Sequence, residues 1–241
     1  FRQALVRLCT GDLTHRGDTE SYERLAELLD RTHIPVSLLI GNHDSRETFL
    51  SCFPDVSADP NGFVQSVLDV GDWRLVFLDT LNAPPYEFPE TYSGYLCPAR
   101  LDWLQGQLRD AGDRPVLLFL HHPPHDIGFP GMDAIKLKNG PALYDVIGRF
   151  NCVKHLVAGH VHRTISGSHR GVPFSIFKSP CHQMPMNMDS MDVSLSVDEP
   201  AAYGILLTTP TGVLAHSEDY EIAIADVGTS HEALGAGVAA A

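Results

Sequence analysis

Four short apolar runs constrain the fold more than any other feature of this chain: ALVRLCTGD, PVSLLIGNHD, PVLLFLHHPP and HLVAGHVH. Each holds a few residues rich in Val, Leu and Ile and then stops abruptly at Gly or Pro, as a buried strand does where it enters a loop. Helical patterns lie between them. Residues 19–31 place Tyr22, Leu25 and Leu29 on one face with Asp18 or Thr19 as the cap. Residues 98–110 begin with Pro98 in the first turn, carry Leu101, Leu104 and Leu108, and end at Gly112. A third pattern runs through Leu143, Val146, Ile147 and Phe150. Strand, helix and strand in repetition predict an α/β layered fold. Beyond it, VPFSIFKSP, AAYGILLTTP and GVLAHSEDY read as strands of an antiparallel or mixed sheet. Residues 1–228 are expected to form one domain, and residues 229–241, small and weakly patterned, a frayed tail.

Composition narrows the partners. The 241 residues carry 30 acidic and 17 basic side chains, a net charge of −13, which repels a nucleic-acid polymer. An anionic small molecule remains admissible where bound cations dominate the local field. No apolar stretch approaches the ~20 residues of a membrane span. Cys9, Cys52, Cys97, Cys152 and Cys181 are far apart and odd in number, so they read as thiols of a reducing compartment, and a cytoplasmic location is expected. Homo-oligomer formation stays open.

The four apolar runs end in Gly11-Asp12, Gly41-Asn42-His43-Asp44, His121-His122-Pro123-Pro124 and Gly159-His160-Val161-His162. Every one delivers an oxygen or imidazole donor, and loops after strand carboxyl ends gather at one edge of an α/β sheet. Each motif alone has a plain structural explanation: Gly-Asp favours turns, Asn42 an Asx-turn, and a core histidine a hydrogen bond. Four such endings at equivalent positions point to one metal centre. Adjacent His121 and His122 are expected to point to opposite sides, so that one is a ligand. In an extended segment His160 and His162 point the same way and can serve neighbouring metals. Imidazole, carboxylate and amide oxygen suit Mn²⁺, Fe²⁺ or Zn²⁺ rather than a thiolate site, and the cysteines are expected to take no part.

In this order, TGDLTHRGD, GNHD, HHPP and GHVH resemble the calcineurin-like metallophosphoesterase superfamily, and within it the bacterial phosphodiesterases that include class III cyclic-nucleotide and glycerophosphodiester enzymes. The resemblance implies a four-layer α-β-β-α sandwich with two mixed central sheets and two divalent metal ions. By position, Asp12 would bridge the metals, Asn42, His121 and His160 would complete one site, and His162 would belong to the other. His43 would contact the phosphate and assist the leaving group. The SPCHQMP stretch would make His182 a further phosphate-side contact. The family also carries an Asp-x-His strand ahead of Gly-Asp; no such pair precedes Asp12, so residues 1–12 read as the second ligand strand with the first one missing.

The implied function is hydrolysis of a small-molecule phosphodiester, either a cyclic nucleotide or a glycerophosphodiester, by a hydroxide held between two metals. Alternatives are a phosphomonoesterase or phosphoprotein phosphatase, and a non-catalytic binding module with a degraded metal site. NAPPYEFPETYSGYL is read as a surface loop in preference to a pocket wall, and MPMNMDSMD as packing in preference to a partner surface. His15 is given no role.

Overall fold

The structure is a computed structural model that describes residues 6–56, 58–83 and 92–220. Its elements follow the expected alternation. Strand β1 (Arg7–Thr10) leads to α1 (Thr19–Leu29), β2 (Val36–Leu39) and α2 (Arg46–Cys52). The hairpin β3 (Ser66–Val70) and β4 (Trp73–Leu78) precedes α3 (Pro98–Ala111) and β5 (Val116–Leu120). Two short helices, α4 (Pro130–Ala134) and α5 (Gly140–Ile147), then lead to β6 (Val153–Ala158), β7 (Ile165–His169) and β8 (Val172–Ile176). The described chain closes with the hairpin β9 (Ala202–Thr209) and β10 (Gly212–Asp219). Asp18, not Thr19, caps α1, accepting from the Ser21 N–H at 2.9 Å. Phe150 lies beyond the end of α5. Residues 229–241 and most of the Pro- and Tyr-rich loop, residues 84–91, lie outside the described residues.

A six-stranded mixed sheet in the order β3-β4-β5-β6-β8-β7 forms the centre. Its inner strands β4, β5 and β6 are parallel and covered on both faces, which is why they read as unbroken apolar runs instead of alternating ones. One face carries Val76, Leu78, Leu118, Leu120 and Leu156 against Leu104 and Leu108 of α3 and Leu143 and Ile147 of α5. The other carries Trp73, Leu75, Phe77, Leu117, Phe119 and Val157, packed against Leu8 of β1, Leu39 of β2, Leu206 of β9 and Val213 of β10. A third cluster of Tyr22, Ile40, Phe49, Val64 and Leu81 seats α1 and α2.

The α/β sandwich is therefore as expected, with one difference. Among the described residues, the second sheet is two separate pieces, the parallel pair β1-β2 and the antiparallel pair β9-β10, both laid on the same face of the central sheet. A second expectation fails in the methionine-rich stretch. Met184 is buried, but Met186, Met188 and Met191 are 57 to 68% exposed.

The fully buried carboxylate of Asp79, just past β4, locks this framework to the loops above it. Arg46 of α2 grips it with two hydrogen bonds of 2.8 and 3.1 Å, and the N–H groups of Val64 and Leu81 donate at 3.0 and 2.9 Å. The Arg100 guanidinium stands 3.8 Å from it and lies over the Phe63 ring. Removing one partner of such a network strands the other charges in the core. Asp79→Ala is therefore expected to lower unfolding free energy by about 3–5 kcal/mol, measured by urea denaturation. A midpoint close to wild type would refute this role.

Candidate metal centre

The loops after β1, β2, β5 and β6 meet at one edge of the sandwich, cross-tied by a few short hydrogen bonds. The Asp44 carboxylate accepts from the N–H groups of Gly41, Leu13 and Thr14 at 2.8, 3.0 and 3.2 Å and from the Tyr22 hydroxyl at 2.9 Å. It binds the Gly-Asp loop to the Gly-Asn-His-Asp loop. The Gly159 N–H donates to the His121 carbonyl at 2.9 Å, joining the other two. Gly41 is required by close approach: a Cβ there would collide with the Asp12 carboxylate and the His121 ring.

The donor atoms converge as the motifs predict. His121 Nδ1–H donates to the Thr10 carbonyl at 2.7 Å, which leaves Nε2 as the lone-pair nitrogen. That Nε2 faces Asn42 Oδ1 at 3.1 Å, Asp12 Oδ2 at 3.2 Å and His160 Nδ1 at 3.2 Å. His160 Nε2 is buried and meets no hydrogen-bond partner among the described residues. The Asn42 and Asp12 oxygens crowded around that lone pair repel it unless a cation or proton lies among them. The donor set of carboxylate, amide oxygen and two imidazoles therefore fits a borderline or hard divalent ion.

Protonation follows the same logic. Burial works against the charged forms of both Asp12 and His121, yet each opposes the other's penalty: the His121 charge holds Asp12 well below the usual carboxylate range, and Asp12 raises His121. A proton there does in part what a metal would do. Burial, reinforced by the charge on His121, lowers His160 to about 3. Burial and then His182 lower His162 to about 4.

Three expectations of detail change. His121 and His122 do not diverge across a strand, because β5 ends at Leu120 and both lie in the bend after it; their rings meet at 4.9 Å and 90°. His122 stands with His121 and His160 in a buried cluster whose donor atoms lie within 4.8 Å of one another. Its Nδ1 pairs with the Thr80 hydroxyl at 2.8 Å and its Nε2 with the Tyr92 carbonyl at 3.2 Å, so both nitrogens are engaged. His160 and His162 are not extended either. They have φ of +71° and +53°, like Asp12 at +52°, left-handed conformations that aim the side chains individually. His160 turns to His121, and His162 turns to His182, with ring centroids 4.6 Å apart. Third, Cys181, expected to take no part, places its sulfur beside His162 and His182.

His43 stands over Asp12. Its backbone N–H donates to Asp12 Oδ1 at 3.0 Å, its Nδ1 pairs with the His15 carbonyl at 3.1 Å, and its ring stacks on His15 at 5.2 Å and 19°. His15 is thus a positioning neighbour of His43 that the sequence did not reveal, since stacking between two loops leaves no spacing signal.

The family model of calcineurin-like phosphoesterases matches residues 3–164, a span that holds all four motif loops. The chain belongs to the calcineurin-like phosphoesterase family. Within that family it is 40% identical over 210 residues to a protein of Rhodopseudomonas palustris named "probable cyclic nucleotide phosphodiesterase", covering 87% of this chain and 75% of that one. It is 31% identical over 180 residues to the glycerophosphodiester phosphodiesterase of Enterobacter lignolyticus, covering 73% of this chain but 62% of that one. A dimetal phosphatase from Danio rerio shares the fold, with a TM-score of 0.58 over 72% of each chain at 20% identity. No helix among the described residues is long and apolar enough to cross a membrane.

The depressed imidazoles give a pH dependence with a definite sign. An unfolded imidazole takes up a proton as pH falls through about 6.5, whereas folded His125, His160 and His162 wait until about 4, 3 and 4. Over that window the unfolded state binds more protons, so stability falls with pH. His122 and His155, lowered by burial, act in the same sense, whereas Asp44, raised by burial, and His121, raised against its burial by Asp12, work in the opposite one, two groups against five. Protein stripped of metal by chelation is expected to have a lower urea midpoint at pH 4.5 than at pH 6.5, roughly the limits of the window in which the imidazoles differ. Equal midpoints would contradict the assignment.

Proposed function

We propose that this protein hydrolyses a small-molecule phosphodiester, of the cyclic-nucleotide or glycerophosphodiester class, at a centre of two divalent metal ions. The observation that carries the reading is the convergence of Asp12, Asn42, His121 and His160 lone pairs on one point, with His43 poised beside it. The names of the two relatives supply the ester class.

Asp12, Asn42, His121 and His160 would hold one ion, with Asp12 shared and His162 directed to the second. When bound, such a pair supplies an activated water nucleophile and neutralises charge on the phosphoryl oxygens; Mn²⁺, Fe²⁺ or Zn²⁺ would serve. The protein's own residues do the rest. Thr10 orients the His121 ring through Nδ1 and keeps Nε2 inward. The Asp44 clamp holds Asp12 and Asn42 on a common frame. His43 has Nδ1 committed to the His15 carbonyl, which leaves Nε2 to face the ester. In its protonated form that nitrogen donates to the departing alkoxide, whose own pKa is too high for it to leave unassisted near neutrality. His182, whose ring meets that of His162 at 4.6 Å, would supply a further contact to a phosphoryl oxygen. The net charge of −13 keeps polyanions away, so the substrate is a small ester whose charge is met locally by the metals.

Two experiments test this. Asn42→Ala and His160→Ala are expected to lose bound metal and nearly all turnover, whereas His43→Ala keeps the metal and loses rate by about 10²–10⁴-fold, the usual contribution of a positioned acid. Full metal occupancy with normal rate in either of the first two would refute the ligand assignment, and metal loss in the third would refute the role of His43. A panel of cyclic AMP, a glycerophosphodiester and a phosphomonoester, assayed with Mn²⁺, is expected to show diester preference. A clear monoester preference overturns the proposal.

A further inference from the structure

We propose that the exposed ring of Tyr92 is a stacking platform for the base of the substrate, so that the centre prefers cyclic nucleotides to glycerophosphodiesters. The inference deepens the reading above and rests on it for the place of the ester beside His43. Tyr92 is 58% exposed, and its ring centroid lies 6.3 Å from that of His43, with the planes tilted by 41°. Aromatic pairs hold at centroid separations of about 4.5–7 Å, so His43 supports the Tyr92 ring while leaving most of it uncovered. With His15 stacked on His43 at 5.2 Å, three rings are linked beside Asp12, whose carboxylate accepts the His43 N–H at 3.0 Å.

The segment that presents Tyr92 is fixed by a histidine to which hydrolysis assigns no task. The Tyr92 carbonyl can only accept, so His122 donates to it through Nε2–H at 3.2 Å, and His122 Nδ1 accepts from the Thr80 hydroxyl at 2.8 Å. The Thr80 hydroxyl oxygen in turn accepts from the His122 backbone N–H at 3.4 Å, which closes the circuit. Two residues on, Gly94 lies so close to His122 that a Cβ would strike the ring. The Gly94 N–H donates to the Lys136 carbonyl at 3.3 Å, and its carbonyl accepts from the Lys138 N–H at 2.9 Å. The Tyr95 N–H donates to the Thr80 carbonyl at 3.1 Å. The main chain is thus pinned, with fully buried His122 as the positioning residue, while the Tyr92 ring keeps more than half its surface open to a ligand.

The two ester classes differ in what they carry beyond the phosphate. A cyclic nucleotide ends in an aromatic base, separated from phosphorus by one sugar, whereas a glycerophosphodiester carries aliphatic alcohols with no π face. His43 beside the phosphoryl group and Tyr92 one ring further out match the first class. Stacking of a base on an aromatic side chain is worth about 5- to 150-fold in affinity, and every base has a π face. The platform therefore selects nucleotides as a class and discriminates little between adenine and guanine.

The test uses the full chain loaded with Mn²⁺ and two probes that differ only in the base, adenosine 5′-monophosphate and ribose 5-phosphate, with binding measured by calorimetry. The wild-type protein is expected to bind the nucleotide about 5- to 150-fold more tightly than the sugar phosphate. Tyr92→Ala is expected to erase that advantage, with the loss falling on the nucleotide alone, and Tyr92→Phe to keep it. In turnover by Tyr92→Ala, the ratio of KM for cyclic AMP to KM for glycerophosphoethanolamine should rise by the same factor, through KM and not kcat. The inference is overturned by a wild-type protein with no nucleotide advantage, by an advantage that survives Tyr92→Ala, by equal losses for both probes, or by a Tyr92→Phe protein that behaves like Tyr92→Ala. Base-dependent binding that Tyr92→Ala abolishes, without turnover of any diester, upholds the platform and overturns the phosphodiesterase reading; diester turnover with binding indifferent to Tyr92 does the reverse.

Discussion

The site depends first on one hydrogen bond, from His121 Nδ1 to the Thr10 carbonyl. It spans the two layers of the sandwich, because Thr10 ends a strand of one small sheet and His121 follows the central strand of the large one. By consuming the Nδ1 proton it settles the tautomer, and the tautomer settles which nitrogen points at Asp12, Asn42 and His160. A rotation of the ring or a change of tautomer would replace a lone pair by an N–H and convert a cation pocket into an ordinary hydrogen-bonded cluster. Next door, His122 shows that other outcome, with both nitrogens engaged by Thr80 and Tyr92.

Electrostatics explains why these loops need so firm a frame. The acceptors of the pocket repel each other, so nothing intrinsic to the ligands holds them together until a cation or proton intervenes. The frame is supplied from outside: by Asp44, which gathers N–H donors from two loops, and by Asp79, which fastens α2 to the core. Both are carboxylates deep in the structure, and both are met by several donors, the condition under which a buried charge is tolerable.

Most of this was legible in the chain because the parallel strands are buried on both faces and announce themselves as continuous apolar runs ending in donor residues. Those endings marked Asp12, Asn42, His121, His160 and His162 as donors that would gather at one edge, and the family resemblance implied their roles as ligands. The hairpin of β3 and β4 was not, since Asp69, Asp72 and Arg74 break its pattern with charges at an exposed edge. The side-chain directions at His121, His160 and His162 were misread for a different reason: strand alternation was applied to residues that lie beyond the strand ends, where left-handed and bent backbone governs. His15 and Cys181 reach the site through tertiary packing alone, and no local pattern marks either.

The left-handed backbone at Asp12, His160 and His162 has a consequence for how such a centre can vary over generations. That conformation is steeply unfavourable to β-branched side chains and tolerated by Asp, Asn, His and Gly. The main chain therefore screens the residue types admitted to these positions before any metal does. The variants it passes most readily, Asn for Asp or His, are themselves weaker ligands, so drift at this site would move along a path of graded metal affinity with the fold intact rather than through abrupt collapse.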